Sequence, residues 1–174
     1  MKALLVIDMQ NGLVELSPWN IGKVIINIKG LIEKARDEEV EVIYVSHTTE
    51  SELFLDGSHN WHITSELKPL QGDKVFKKAY SSSFKNTGLH QYLKDRGISS
   101  LIITGMQTEK CVDTAIRVAF DLGYEVIIPE NSNTTFDSKY VDAKTLYKNH
   151  NYEIFDGRFA TVMKFEDVVK YLGE

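Results

Sequence analysis

Three residues in this chain can combine into covalent chemistry: a carboxylate, Asp8; an amine, Lys78; and the only thiol, Cys111. Cysteine attacks as its thiolate, and an ordinary thiol is mostly protonated at neutral pH. It needs a base to take the proton or a positive charge to stabilise the anion. Asp8 can be that base and can later return the proton to a leaving amine. Lys78 can hold Asp8 ionised and balance developing negative charge. A helix starting at the cysteine would add partial positive charge and favour the thiolate. Backbone N–H groups of the run Gly105-Met106-Gln107-Thr108-Glu109-Lys110-Cys111 would then face an oxyanion. Each residue also has a plain structural reading. Asp8 precedes the turn-like Met9-Gln10-Asn11-Gly12, Lys78 resembles the solvated Lys74 and Lys77, and a lone cysteine is often a small buried hydrophobe. The elements that carry the three residues decide between these readings.

Residues 3–7 (Ala-Leu-Leu-Val-Ile) form a continuous apolar run, as in a strand covered on both faces. Val24, Ile25, Ile28, Leu31, Ile32 and Ala35 recur at helical spacing and predict a helix from about Gly22 to Glu38. Residues 40–45 read as a second strand, and the polar stretch from Ser46 to Gly72 as a long, functional connection. Further strands are predicted over 73–77, 100–104, 124–128 and 152–155. Helices are predicted over about 86–96, 110–122, 139–149 and 165–172. Alternation of this kind predicts a single α/β domain over 1–174: a doubly wound, Rossmann-like, three-layer α/β/α sandwich on a mainly parallel six-stranded sheet. Such sheets bind ligands beyond the carboxyl ends of their strands. Asp8 follows the first strand, Lys78 the third and Cys111 the fourth, so the fold brings them to one edge.

Four segments carry a resemblance that runs almost the length of the chain: Leu-Leu-Val-Ile-Asp-Met-Gln (4–10), Lys-Ala-Tyr-Ser-Ser-Ser-Phe (78–84), Leu-Ile-Ile-Thr-Gly-Met-Gln-Thr-Glu-Lys-Cys-Val-Asp-Thr-Ala (101–115) and Gly-Tyr-Glu-Val-Ile-Ile-Pro-Glu-Asn (123–131). The chain resembles the isochorismatase-like cysteine hydrolases, which include nicotinamidases, N-carbamoylsarcosine amidohydrolases and ureidoacrylate hydrolases. The third segment is the most specific. The resemblance implies a catalytic triad of Asp8, Lys78 and Cys111. It also implies a cis peptide between Met106 and Gln107 that aims the N–H groups of Gln107 and Cys111 at the oxyanion, and a homodimer or homotetramer. Nicotinamidases carry an Asp-x-His pair and a further histidine after the second strand, where they bind a divalent metal. Ser46-His47-Thr48-Thr49 has no such pair, and His59 and His62 lack an accompanying carboxylate pattern, so neither a metal nor any other cofactor is expected. True isochorismatases lack a cysteine at the position of Cys111, which disfavours vinyl-ether hydrolysis.

The expected activity is hydrolysis of a carbon–nitrogen bond, other than a peptide bond, in a small molecule. Ether or ester hydrolysis and a degenerate binding protein are the alternatives. A phosphoacceptor domain would need acidic neighbours beside Asp8 to hold magnesium, and these are missing. Gln10, Trp19, Trp61, Tyr80 and Phe84 are candidate substrate contacts, the aromatics as pocket walls. The chain has 174 residues, 43% hydrophobic and 26% charged, and a net charge of −5, which does not favour nucleic acid. No apolar run is long enough for a bilayer. The apolar start ends at Asp8 after five residues and reads as a strand rather than a leader. One cysteine forms no internal disulfide and fits a reducing cytoplasm.

Overall fold

A computed structural model describes residues 1–174. The elements, in chain order, are β1 (Lys2–Ile7), α1 (Asn11–Val14), α2 (Ile21–Asp37), β2 (Glu41–His47), β3 (Lys74–Lys78), α3 (Leu89–Asp95), β4 (Ser100–Met106), α4 (Asp113–Asp121), β5 (Glu125–Pro129), β6 (Asn133–Thr134), α5 (Ala143–Lys148), β7 (Thr161–Met163) and α6 (Phe165–Leu172). The sheet order is β3-β2-β1-β4-β5-β7, with the two-residue β6 continuing alongside the end of β4. Every strand pair is parallel.

Alternation along the strands divides the core into two layers. Ala3, Leu5 and Ile7 of β1, with Leu101 and Ile103 of β4, face Leu89 and Leu93 of α3 and Ala115, Ile116 and Ala119 of α4. Leu4 and Val6, with Val42, Tyr44 and Ile102, face Val24, Ile28, Leu31 and Ile32 of α2 and Val168 and Leu172 of α6. Residues of the central strands are buried on both sides, the reason they read as unbroken apolar runs. The chain builds outward from β1 through β2 to β3, then returns to place β4 on the other side of β1. The crevice where the order reverses lies beyond the carboxyl ends of β1 and β4, carrying Asp8 and the loop to Cys111.

Several boundaries differ from the sequence expectation. β2 runs on through Ser46 and His47, whose polarity hides them from an apolar pattern but which pair in register with Lys77 and Lys78. The helix expected from Asn86 starts at Leu89, after Gly88 with φ 77°. The helix expected over 139–149 starts at Ala143, capped by Asp142, which accepts from the Thr145 N–H. The strand expected over 152–155 is instead part of a π-helical turn, Asn149–Phe155, and the last strand is Thr161–Met163 beside β5. Asn151 and Phe155 are the buried residues of that turn. A four-residue spacing is the helical period, which the short Tyr-Glu-Ile-Phe run could not reveal.

Gly105 marks the closest approach in the sheet. It lies beside Ile7 with φ +116°, and a Cβ there would sit 2.0 Å from the Ile7 carbonyl oxygen. Both atoms involved are backbone or fixed to it, so no side-chain rotation relieves the clash. Gly105→Ala is expected to cost about 3 kcal/mol or more, from the unfavourable φ together with the displaced strand. Urea unfolding monitored by circular dichroism measures it; a loss below about 1 kcal/mol would show that β1 and β4 part easily.

Candidate active site

The chain leaves β1 through Asp8, whose φ of 52° is a left-handed conformation that aspartate and asparagine tolerate better than most residues. Its backbone N–H bonds to the Val45 carbonyl, fixing the turn against β2. Asp8 is buried, and so is Lys78, whose side chain has no solvent exposure. The Lys78 ammonium donates to Asp8 Oδ2 at 2.7 Å, to Cys111 Sγ at 3.2 Å and to His47 Nδ1 at 3.0 Å. The three residues expected from sequence therefore meet around one nitrogen atom. Asp8 Oδ1 is buried and has no partner.

Cys111 lies within a π-helical turn, Thr108–Val112, that leads into α4. The turn is anchored from below by a sealed polar network. Thr108 Oγ1 donates to Asn133 Oδ1 at 2.8 Å, and Asn133 and Asn151 exchange side-chain bonds at 2.9 and 3.1 Å, all at zero exposure. The Met106–Gln107 peptide bond is cis. The N–H groups of Lys110 and Val112 both bond to the Gln107 carbonyl, while the Gln107 N–H makes no hydrogen bond within the protein.

Asp8, His47, Gln107 and Cys111 line a cavity of about 190 Å³, together with Leu13, Phe54, Ser81 and Lys110. Leu13 comes from α1 and Phe54 from the long connection after β2. The long connection was expected to be functional, but neither Leu13 nor Phe54 was named, because a four-residue helix and an irregular loop leave no periodic signal in the sequence. The expected contacts lie elsewhere. Gln10 is wholly buried and binds backbone, donating to the His47 and Trp61 carbonyls and accepting from the His47 N–H. Trp61 donates its indole N–H to Thr48 Oγ1. Trp19 packs on Tyr147, Phe84 stacks on Tyr124, and Tyr80 is exposed. None of these five lines the cavity at Cys111. His59 pairs with Glu15 at 2.6 Å, and with His62 borders a separate, larger opening of about 710 Å³ that does not include Cys111.

The ligating atoms of Asp8, His47 and Cys111 lie within 4.8 Å of one another, a spacing that suits a metal. Here the Lys78 ammonium is bonded to all three residues and supplies the positive charge itself.

Electrostatics corrects one sequence expectation. Burial, and next the Asp8 charge, push the Cys111 thiol up to about 12, with Lys78 opposing only in part. The resting residue is a thiol rather than a thiolate. His47 is shifted the other way: burial and then the Lys78 charge hold its imidazole below the ordinary value, against the pull of Asp8. It is neutral at pH 7, as its acceptor role toward Lys78 requires.

The isochorismatase domain model matches residues 2–167. The chain belongs to the isochorismatase family. The family is one of hydrolases. The ureidoacrylate amidohydrolase of Agrobacterium fabrum is 30% identical over 206 residues, covering 96% of this chain and 89% of that protein. A secreted isochorismatase effector of Verticillium dahliae is 32% identical over 171 residues, covering 96% and 90%. A crystal structure of an isochorismatase family protein superposes with a TM-score of 0.87 at 31% identity, covering 93% of this chain and 97% of that one. No helix of this isochorismatase-family chain is long and apolar enough to cross a membrane.

The raised thiol has a direct readout. With no substrate present, the rate of Cys111 alkylation by iodoacetamide should be low at pH 7 and keep rising beyond pH 10. A rate that levels off near pH 8.5, as for an ordinary thiol, would show that burial and Asp8 do not govern it.

Proposed function

We propose that this hydrolase cleaves a carbon–nitrogen bond, other than a peptide bond, in a small amide or carbamoyl compound through a thioester on Cys111. The single observation that carries the reading is the buried Lys78 ammonium bonded at once to Asp8 and Cys111, both of which line a small cavity. The amidohydrolase relative supports the carbon–nitrogen assignment.

In this reading Asp8 and Cys111 divide the work. A thiol with a pKa near 12 delivers no standing thiolate, so its proton must leave as the sulfur attacks. The unpartnered Asp8 Oδ1 receives it, while Oδ2 stays bonded to Lys78. Sγ bonds to the carbonyl carbon, and the C=O pair moves to oxygen. The N–H groups of Gln107 and Cys111 hold that oxyanion. Asp8 then passes its proton to the leaving nitrogen, the C–N bond breaks, and an acyl thioester remains with Asp8 ionised again. Water attacks the thioester, losing a proton to Asp8. The tetrahedral adduct collapses, releasing the acid, and the thiolate recovers the proton. Lys78, donating to Asp8 Oδ2, holds the carboxylate in place with its other oxygen turned toward the proton it takes. Leu13 and Phe54 shape an apolar wall that excludes bulky substrates from so small a volume.

Ammonia release from a panel of small amides, carbamoyl compounds and ureides identifies the substrate. Cys111→Ala should abolish it. Asp8→Asn, which keeps a residue tolerant of the turn, and Lys78→Ala should each lower kcat by about 1000-fold or more. The double variant should lose little beyond either single one, because the residues act as a unit. Losses that simply multiply would show that Asp8 and Lys78 work independently. Turnover by Cys111→Ala would overturn the reading.

A further inference from the structure

We propose that His47 is a positioning residue of this cluster: its neutral imidazole, through Nδ1, steers the Lys78 ammonium onto Asp8 and Cys111. The proposal rests on the cysteine mechanism above and adds a fourth residue to it.

The topology creates the need. Lys78 belongs to β3, Asp8 follows β1, and β2 lies between them. Neighbouring strands are about 4.8 Å apart, so the lysine must reach across roughly 10 Å of sheet edge. His47 is the last residue of β2 and the register partner of Lys78. The lysine side chain therefore passes the histidine on its way to the aspartate. An ammonium has three N–H donors and no acceptor, and a wholly buried one needs all three satisfied. Asp8 Oδ2, Cys111 Sγ and His47 Nδ1 are its partners. Of these, only His47 takes no part in the bond-making steps, so it alone can hold the lysine unchanged through the cycle.

The histidine is itself held. Its backbone N–H and carbonyl are both bonded by the buried Gln10 side chain, and its ring stands edge-on to Phe54 at 4.7 Å. With Nδ1 accepting, the ring proton is on Nε2. A protonated ring would have no lone pair for Lys78 and would place two cations in contact. The charged groups that face it are Lys78 from β3 and Asp8 from the end of β1, with Lys110 from the turn after β4 lining the same cavity. Burial and Lys78 keep the imidazole neutral to a pH below 6.5. Acidification into that range releases the lysine.

Two substitutions separate this role from simple packing. His47→Asn can place an amide oxygen where Nδ1 accepts. His47→Leu fills similar space with no acceptor, and His47→Gln, used if the leucine variant does not fold, carries its oxygen one bond too far. The first readout needs no substrate. In His47→Leu the thiol loses the aimed cation, so the pH profile of Cys111 alkylation by iodoacetamide should move to higher pH. In His47→Asn it should stay with the parent protein. On the substrate found by ammonia release, His47→Leu should lower kcat by about 10- to 100-fold, the size of one hydrogen bond to a charged group. His47→Asn should keep kcat within a few-fold and extend activity to lower pH. Equal alkylation profiles in the leucine variant and the parent protein would overturn the proposal, as would an asparagine variant as impaired as the leucine one. Turnover by Cys111→Ala would instead overturn the cysteine mechanism, and would leave the alkylation comparison standing.

Discussion

A single buried positive charge organises this site. An ammonium removed from water loses solvation that only close, well-directed partners replace, and the lysine side chain here has no exposure at all. Its partners are one carboxylate and one imidazole, from the ends of β1 and β2, and one thiol from the turn after β4. The sheet order, the length of β2 and the turn after β4 can be understood as what brings these groups within reach of one nitrogen. Without the lysine, Asp8 would be a buried charge with no counterion beside a thiol. Without Asp8, the lysine would carry the same penalty.

The same burial sets the chemistry. A thiol pushed up to about 12 is unreactive toward most electrophiles, so the proposed attack by Cys111 depends on a base already in place when a carbonyl arrives. One carboxylate oxygen is committed to the lysine and the other is unpartnered. That division gives Asp8 a fixed orientation and a free acceptor at once. At the thiol, burial and the nearby Asp8 charge outweigh the opposing Lys78 cation.

Support for the site comes from residues that lie outside the cavity lining. The Thr108–Asn133–Asn151 network lies sealed beneath the turn that carries Cys111, its side chains bonded to one another and, through the Asn151 amide, to the Tyr147 carbonyl. Gln10 does the equivalent work on the other side, joining the loop after β1 to the end of β2 and to the long connection at Trp61. The loop that brings Phe54 to the cavity is thus tied to the segment that carries Asp8.

The amino-acid sequence by itself determined the layered α/β class, the parallel sheet and the positions of Asp8, Lys78 and Cys111 at strand ends. These follow from apolar runs and helical periods, which are local signals that buried strands and amphipathic helices cannot avoid. The motif segments also pointed to the family. Tertiary structure alone decided what stands around the three residues. His47 joined them because β2 extends two polar residues past its apolar run, held there by pairing with β3. Gln10 became a buried brace, and the aromatics Trp19, Trp61, Tyr80 and Phe84 fell outside the cavity, because side-chain placement in irregular segments depends on contacts distant in sequence. The π-helical turn at Asn149–Phe155 replaced an expected strand for the same reason: Phe155 is drawn into a core assembled from β1, β4, α3 and α4. The thiol's protonation state was decided there too, since desolvation is a property of the packed molecule and has no counterpart along the chain.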